Sequence, residues 1–237
     1  MGGKAIAIVP AAGVGRRFDP ETIKTFVPLD DMPVLAHTIK RLHNEEAVHE
    51  ILPVLRKEDI DSGYEMAKEF NFTKVNQIAA GGVERQDSIF NALKLLEERE
   101  IPLPGETLIL IHDGARPLIP KGLIKMLAEE IENFDAVVPG IQVKDTLKEV
   151  SPNGTVVSTL DRSVIRAVQT PQAFKFKTIK TAYERACSDQ FYATDDAALV
   201  ERMGGKVKII EGDENNIKIT TREDLKMAED ILARGIV

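Results

Sequence analysis

The sequence predicts an α/β domain with a mainly parallel sheet covered by helices on both faces, and three observations carry that prediction. Short apolar runs alternate with amphipathic segments along most of the chain. The first run, Ala5 to Val9, breaks at Pro10 into a small-residue loop, Ala11-Ala12-Gly13-Val14-Gly15, followed by Arg16, Arg17 and Lys24. Another, Leu108 to Ile111, leads directly into His112-Asp113-Gly114-Ala115-Arg116-Pro117. In open parallel sheets ligands sit beyond the carboxyl ends of the strands, so both loops fall where a site belongs.

After the first strand, Pro33 to Asn44 carries Val34, Leu35, Ile39 and Leu42 at helical spacing. Ile51 to Leu55 reads as the second strand and Asp59 to Phe70 as the second helix. A strand near Val75 to Ala79 precedes a helix over Gln86 to Arg99, with Ile89, Phe90, Leu93 and Leu96 on one face. After Leu108 to Ile111, Pro120 suits the first turn of a helix ending near Asn133, and Ala136 to Pro139 is strand-like again.

The middle departs from this pattern. From Gln142 to Ser158 the chain is polar and alternating around a turn signal, Pro152-Asn153-Gly154, which predicts a hairpin of Val143–Val150 with Thr155–Leu160 in an arm over about 142–162. Such an arm has little core of its own and is expected to pack on a partner chain. Helices are expected over Thr178 to Asp189 and Asp195 to Met203, then a strand over Val207 to Ile210. Asn215 to Thr220 is expected to end in a strand, and Thr221 with Asp224 opens the last helix, to about Arg234. There is no repeat or interdomain linker, so residues 1–237 are expected to form one domain with the arm inserted.

Composition narrows the function. Hydrophobic and charged fractions of 43% and 29% are those of a soluble globular chain. A net charge of −7 argues against a general nucleic-acid or membrane-surface binder, so any anion site is local. The single Cys187 excludes an intramolecular disulfide and a cysteine metal cluster, and is expected as a small buried side chain on a helix. The four histidines show no metal-ligand spacing. No run has signal-peptide or membrane-span length, so a cytoplasmic protein is expected.

The residue types of the first loop suit phosphate, the alternative being a turn with solvated arginines: small residues admit a ligand to backbone N–H groups, and paired arginines suit a polyphosphate. It is neither of two familiar loops. Phe18 occupies the third glycine position of a dinucleotide fingerprint, and neither Gly-Lys pair is followed by Ser or Thr as a P-loop requires. Asp113 at a strand end can hold Mg²⁺ or a ribose hydroxyl, and Arg116 can pair with a phosphate. Gly81-Gly82-Val83-Glu84-Arg85-Gln86-Asp87-Ser88 precedes a helix, where Ser88 can reach a base edge. Lys218 between apolar neighbours suggests an aimed charge.

In order, PAAGVGRR…K, GGVERQDS, IHDGARP, KDT, DR…QTPQAF, TDDA and NNIKIT resemble the 2-C-methyl-D-erythritol 4-phosphate cytidylyltransferase family, from about Lys4 to Arg234. The resemblance implies a Rossmann-like, GT-A-like nucleotidyltransferase fold, a three-layer sandwich with a mainly parallel mixed sheet and a projecting β-arm that forms a homodimer. It implies transfer of the cytidylyl group of CTP to methylerythritol phosphate, with Mg²⁺. By the same resemblance Arg17 and Lys24 stabilise the transition state, and Lys218 reaches phosphates or substrate from the far side. Ala11, Ala12, Gly13, Gly15 and Arg16 would cradle the triphosphate, Gly82 and Ser88 would read cytosine, and Asp113 with Gly114 would lie at ribose and metal. Arg116, Thr146, Arg162 and Thr170 match the second substrate's site, Thr146 and Arg162 being donated by the partner subunit. Ile23 and Thr25 around Lys24, Val83, Gly114 and Asn215 depart from the family's usual residues. The nearest alternative is a ribitol-5-phosphate cytidylyltransferase, and a more distant one a non-catalytic nucleotide-binding protein.

Overall fold

The computed structural model describes residues 5–13 and 24–235, with Lys24 described by its backbone alone. The strands are β1 (Ala5–Pro10), β2 (Pro28–Leu29), β3 (Met32–Pro33), β4 (Val48–Leu55), β5 (Ala79–Ala80), β6 (Leu108–Ile111), β7 (Ala136–Gln142), β8 (Lys148–Val150), β9 (Val156–Thr159), β10 (Arg166–Val168), β11 (Gln172–Lys175) and β12 (Val207–Glu211). The helices are α1 (Val34–His43), α2 (Ile60–Glu69), α3 (Arg85–Glu97), α4 (Leu123–Glu130), α5 (Phe176–Ser188), α6 (Asp196–Arg202) and α7 (Arg222–Ala233).

The main sheet runs β5-β4-β1-β6-β11-β7, with β10 on the same side of β7 as β11 and β12 on the other. β5, β4, β1 and β6 pair in parallel, as do β7 and β12, while β10 and β11 run antiparallel to their neighbours. The alternating pattern predicts a mainly parallel sheet, and the family resemblance the mixed one that is found. Strand period two explains how one apolar run serves two cores. Ala5, Ala7 and Val9 of β1 join the layer of α1, α2 and α4, whereas Ile6 and Ile8 face the layer of α3, α5 and α6. β6 divides in the same way: Leu108 and Leu110 go to the first layer, Ile109 and Ile111 to the second.

Strand order places the crevice. From β1 the chain steps to β4 and β5 on one side, then returns across the sheet to β6 on the other. β1 and β6 therefore flank a topological switch point, and the loops after Pro10 and Ile111 lie at its carboxyl end. The β5–α3 loop closes the crevice from the β4 side, anchored by the Gly81 N–H donating to the Leu55 carbonyl at 2.7 Å.

Several boundaries differ from the sequence reading, each for a local reason. The strand near 75–79 is confined to Ala79–Ala80. Gly122 takes a left-handed φ of 81° and starts α4 at Leu123, so Pro120 lies ahead of the helix rather than in its first turn. Asn215–Thr220 is not a strand: the Ile219 N–H donates to the Ala115 carbonyl, but the segment otherwise runs irregularly beside the loop that follows β6. Cys187 is exposed, not buried, because it falls on the outer face of α5. β10 and β11 were not foreseen. The capping box of α7 is as read, with the Thr221 hydroxyl accepting from the Asp224 N–H and the Asp224 carboxylate from the Thr221 N–H.

The arm is a shorter hairpin than expected, β8 with β9. Val150, Val156, Val157 and Val164 all lie exposed on or beside it. No helix among the described residues is long and apolar enough to cross a membrane.

Close approach at the crevice gives a test. A Cβ on Gly81 would stand 2.5 Å from the Ala12 Cβ and 3.3 Å from the Leu55 carbonyl oxygen. Gly81→Ala is expected to destabilise the fold by roughly 1–3 kcal/mol by overpacking, read from urea unfolding. An unchanged midpoint would show that the two loops are not in register as described.

Candidate active site

The crevice is lined by Pro10, Ala11, Ala12 and Gly13 from the first loop, Gly82 to Arg85 and Ser88 from the start of α3, Asp113 to Ala115 after β6, and Lys218. Asp113 is its centre. The strand end fixes its backbone, and the Gly114 N–H donates to the Pro10 carbonyl at 3.1 Å, tying the two loops together. A Cβ on Gly114 would stand 2.9 Å from the Ala11 Cβ, which accounts for glycine there.

Three cations from three parts of the chain converge on the Asp113 carboxylate. Arg85 Nε donates to Oδ1 at 3.2 Å, Lys218 Nζ to Oδ2 at 2.8 Å, and Arg116 Nε lies 3.7 Å from Oδ2. Burial would raise the Asp113 carboxyl, but the charges of Arg85 and Lys218, the Lys218 hydrogen bond and Arg116 outweigh it and hold the group well below the usual carboxylate range. Arg116 is pushed down by its own burial, partly offset by Asp113. Its Nη1 donates to the Asn216 carbonyl at 2.6 Å, while its Nε is buried without a hydrogen bond.

Behind Asp113 runs a chain of neutral hydrogen bonds. The Asp113 N–H donates to Thr170 Oγ1 at 3.1 Å, and that hydroxyl lies 3.0 Å from His112 Nδ1. His112 Nε2 lies 2.9 Å from the Arg116 carbonyl, which can only accept. The proton therefore sits on Nε2, and Nδ1 accepts from Thr170. Burial pushes His112 down to about 4, against the pull of the Arg116 carbonyl and Asp113. Asn216 Nδ2 donates to the Thr170 carbonyl at 2.8 Å, joining the Lys218 segment to the same scaffold.

At the α3 start, Ser88 Oγ accepts from the Gly82 N–H and donates to the Glu84 carbonyl, both at 3.0 Å. Ser88 thus shapes the loop, leaving one lone pair for any ligand. The Ala11 N–H is likewise spent, donating to the Val54 carbonyl at 2.8 Å.

The expected site residues divide into four groups. Ala11, Ala12, Gly13, Gly82, Ser88, Asp113, Gly114 and Lys218 share the crevice, and Arg116 and Thr170 stand directly behind it. Gly15, Arg16 and Arg17 lie outside the described residues, and the backbone of Lys24 begins the 3₁₀ turn Lys24–Phe26. Thr146 is exposed at the arm, and Arg162 lines a separate groove with Lys144 and Arg166 at the arm's base, donating to the Lys144 carbonyl. Arg85, His112 and Asp196 carry structure at the site and had no role assigned from sequence. Their signals were present in GGVERQDS, IHDGARP and TDDA, but not the pairings between them.

A family model described as 2-C-methyl-D-erythritol 4-phosphate cytidylyltransferase matches residues 5–234. The chain belongs to this family. A relative of that description from Syntrophotalea carbinolica is 42% identical over 233 residues, covering 95% of this chain and 94% of the relative. Another from Geobacillus thermodenitrificans is 42% identical, covering 97% of each. The crystal structure of 4-diphosphocytidyl-2C-methyl-D-erythritol synthase from Anaerococcus prevotii matches with a TM-score of 0.83 at 31% identity, covering 98% of this chain and 97% of that one. The chain is thus a cytidylyltransferase of isoprenoid biosynthesis, acting on CTP and 2-C-methyl-D-erythritol 4-phosphate.

The buried imidazole makes stability pH-dependent. An unfolded His112 takes a proton near pH 6.5, whereas the folded one resists until about 4, so its contribution is full above 6.5 and declines as pH falls toward 4. Between pH 7 and 4.5 this group is expected to remove on the order of 2–3 kcal/mol. Urea unfolding of wild type and His112→Gln at both pH values checks it: the variant should lose less on acidification, and equal losses would contradict a neutral buried imidazole.

Proposed function

We propose that CTP binds in the Asp113 crevice, with its triphosphate between the Ala12–Gly13 loop and Lys218. The single observation carrying this reading is the Lys218–Asp113 pair, 2.8 Å apart at the lip of the crevice. An ammonium on a flexible stem, held by a carboxylate, can pivot to a phosphate oxygen without losing a charged partner.

The reaction needs little acid–base chemistry. An oxygen of the methylerythritol phosphate attacks the α-phosphorus of CTP, the bond to the bridging oxygen of the β-phosphate breaks, and diphosphate leaves. The attacking phosphate is already anionic, so no general base is required. The one histidine nearby has both ring nitrogens engaged and is buried behind the site. Catalysis is then alignment plus neutralisation of charge growing at the α-phosphate. Lys218 supplies one cation, and Arg17 and Lys24 are assigned the transition-state role by resemblance. Gly15 and Arg16 are assigned to the triphosphate on the same ground.

Mg²⁺ typically uses one or two carboxylates and completes its shell with phosphates and water. Asp113 fits such a site, and among the described residues no group of three His, Cys, Asp or Glu would cage a metal by itself. Bound at Asp113, the ion would withdraw charge from the phosphate oxygens. Arg116 is assigned to the second substrate, and Thr170 supports the site from behind through Asp113. Thr146 and Arg162 stand away from this chain's own crevice, which supports their donation to a partner's crevice in a homodimer. The exposed valines of the arm supply an apolar face for that contact.

Arg17→Ala and Lys24→Ala are expected to lower kcat at least about 100-fold, as loss of a transition-state charge contact does, with thermal melting unchanged. Steady-state release of diphosphate measures it. Undiminished turnover in both folded variants would refute the assigned roles.

A further inference from the structure

The TDDA segment does not line the crevice, yet it pairs with the arginine that reaches the carboxylate at its centre. Arg85 donates to Asp196 with both ends of its fork, Nη1 to Oδ1 at 2.9 Å and Nη2 to Oδ2 at 2.8 Å, while its Nε reaches Asp113 at 3.2 Å. A guanidinium is planar, so fixing two donors fixes the direction of the third. Whatever holds Asp196 therefore aims Arg85 Nε at Asp113.

Asp196 is held firmly. It is almost fully buried in the first turn of α6, and the Tyr183 hydroxyl of α5 donates to its Oδ1 at 2.5 Å. Tyr183 stacks on Phe90 of α3, with ring centroids 6.0 Å apart. Preceding it, Asp195 caps α6 by accepting from the Ala198 N–H and also accepts from Gln172 Nε2 of β11. Gln172 Oε1 accepts from the Ala197 N–H at 3.1 Å, so β11 grips the same turn twice. Burial opposes the Arg85 charge, but Asp196 and Asp113 outweigh it, and the guanidinium remains firmly protonated.

We infer that Asp196 is a positioning residue for the nucleotide crevice: through Arg85 it fixes the Asp113 carboxylate with Oδ1 occupied and Oδ2 turned to Lys218. This rests on the reading that CTP binds at Asp113. Without the Asp196 charge, the guanidinium keeps a single carboxylate partner and moves onto Asp113. It then competes with Lys218, and with any cation carried by the nucleotide, for Oδ2. The cost falls first on CTP binding, because Arg116, assigned to the second substrate, only approaches Asp113 at 3.7 Å and is held independently by its hydrogen bond to the Asn216 carbonyl.

Calorimetric titration of CTP with Mg²⁺, beside steady-state kinetics, tests this on the full chain. Asp196→Asn is expected to weaken CTP binding and raise its KM about tenfold or more, while KM for methylerythritol phosphate changes less than twofold. Asp196→Glu, which keeps the charge, should recover part of the loss. Tyr183→Phe removes only the hydroxyl that steadies Asp196, should move CTP affinity in the same direction by a few fold, and serves if Asp196→Asn does not fold. CTP affinity within twofold of wild type in a folded Asp196→Asn or Tyr183→Phe variant would overturn the inference, as would equal rises in both KM values. Asp113→Asn separates the two levels. If it leaves CTP affinity unchanged, the site reading itself fails; if it weakens CTP while Asp196→Asn does not, only the positioning role fails.

Discussion

The carboxylate of Asp113 is a charge the fold places at a strand end with little access to water, and a buried charge is tolerated only when paired and hydrogen-bonded. One partner, Arg116, comes from the same loop, while Arg85 and Lys218 come from distant parts of the chain that no local motif joins to it. That requirement draws the start of α3 over the crevice, brings the irregular segment before α7 alongside the loop after β6, and sets the two loops around one crevice. The same group gives the crevice its polarity: a buried carboxylate faced by Arg85, Arg116 and Lys218, ready to exchange one of them with a polyphosphate. In a chain of net charge −7, the anion site is made by local concentration rather than by overall field.

Support for this arrangement is layered. Neutral hydrogen bonds through Thr170 and His112 hold the Asp113 backbone, and Asn216 ties the Lys218 segment to Thr170. Charged contacts through Arg85 and Asp196 hold its carboxylate. Breaking a buried pair by removing one partner costs more than the pair contributes, because the remaining charge is left unpaired. The site is therefore rigid on the Asp113 side, and the adjustable group is Lys218, the most exposed of its cations.

Much of this was legible in the chain. The apolar runs of β1 and β6, the loops that follow them and the Thr221–Asp224 capping box are local signals written in consecutive residues. Asp113 and Lys218 could be singled out because each interrupts or follows an apolar run. What escaped was non-local. β11 is only four residues long and inserts antiparallel between β6 and β7, a pairing set by topology rather than periodicity. The Arg85–Asp196 pair spans 111 positions, and its members look like ordinary helix-start charges in isolation. Ser88 also folds its own loop, accepting from the Gly82 N–H and donating to the Glu84 carbonyl, a use that its spacing from Gly82 does not reveal.

The central claim is that Lys218 leaves Asp113 for the nucleotide while Arg85 does not. A crystal structure with CTP and Mg²⁺ measures this directly. The account predicts the triphosphate between Ala12–Gly13 and Lys218, with Lys218 Nζ moved from Asp113 Oδ2 onto a phosphate oxygen and the Arg85 contacts to Asp113 and Asp196 retained. A nucleotide bound outside the crevice, or one bound within it while the Lys218–Asp113 pair stays closed, would contradict it.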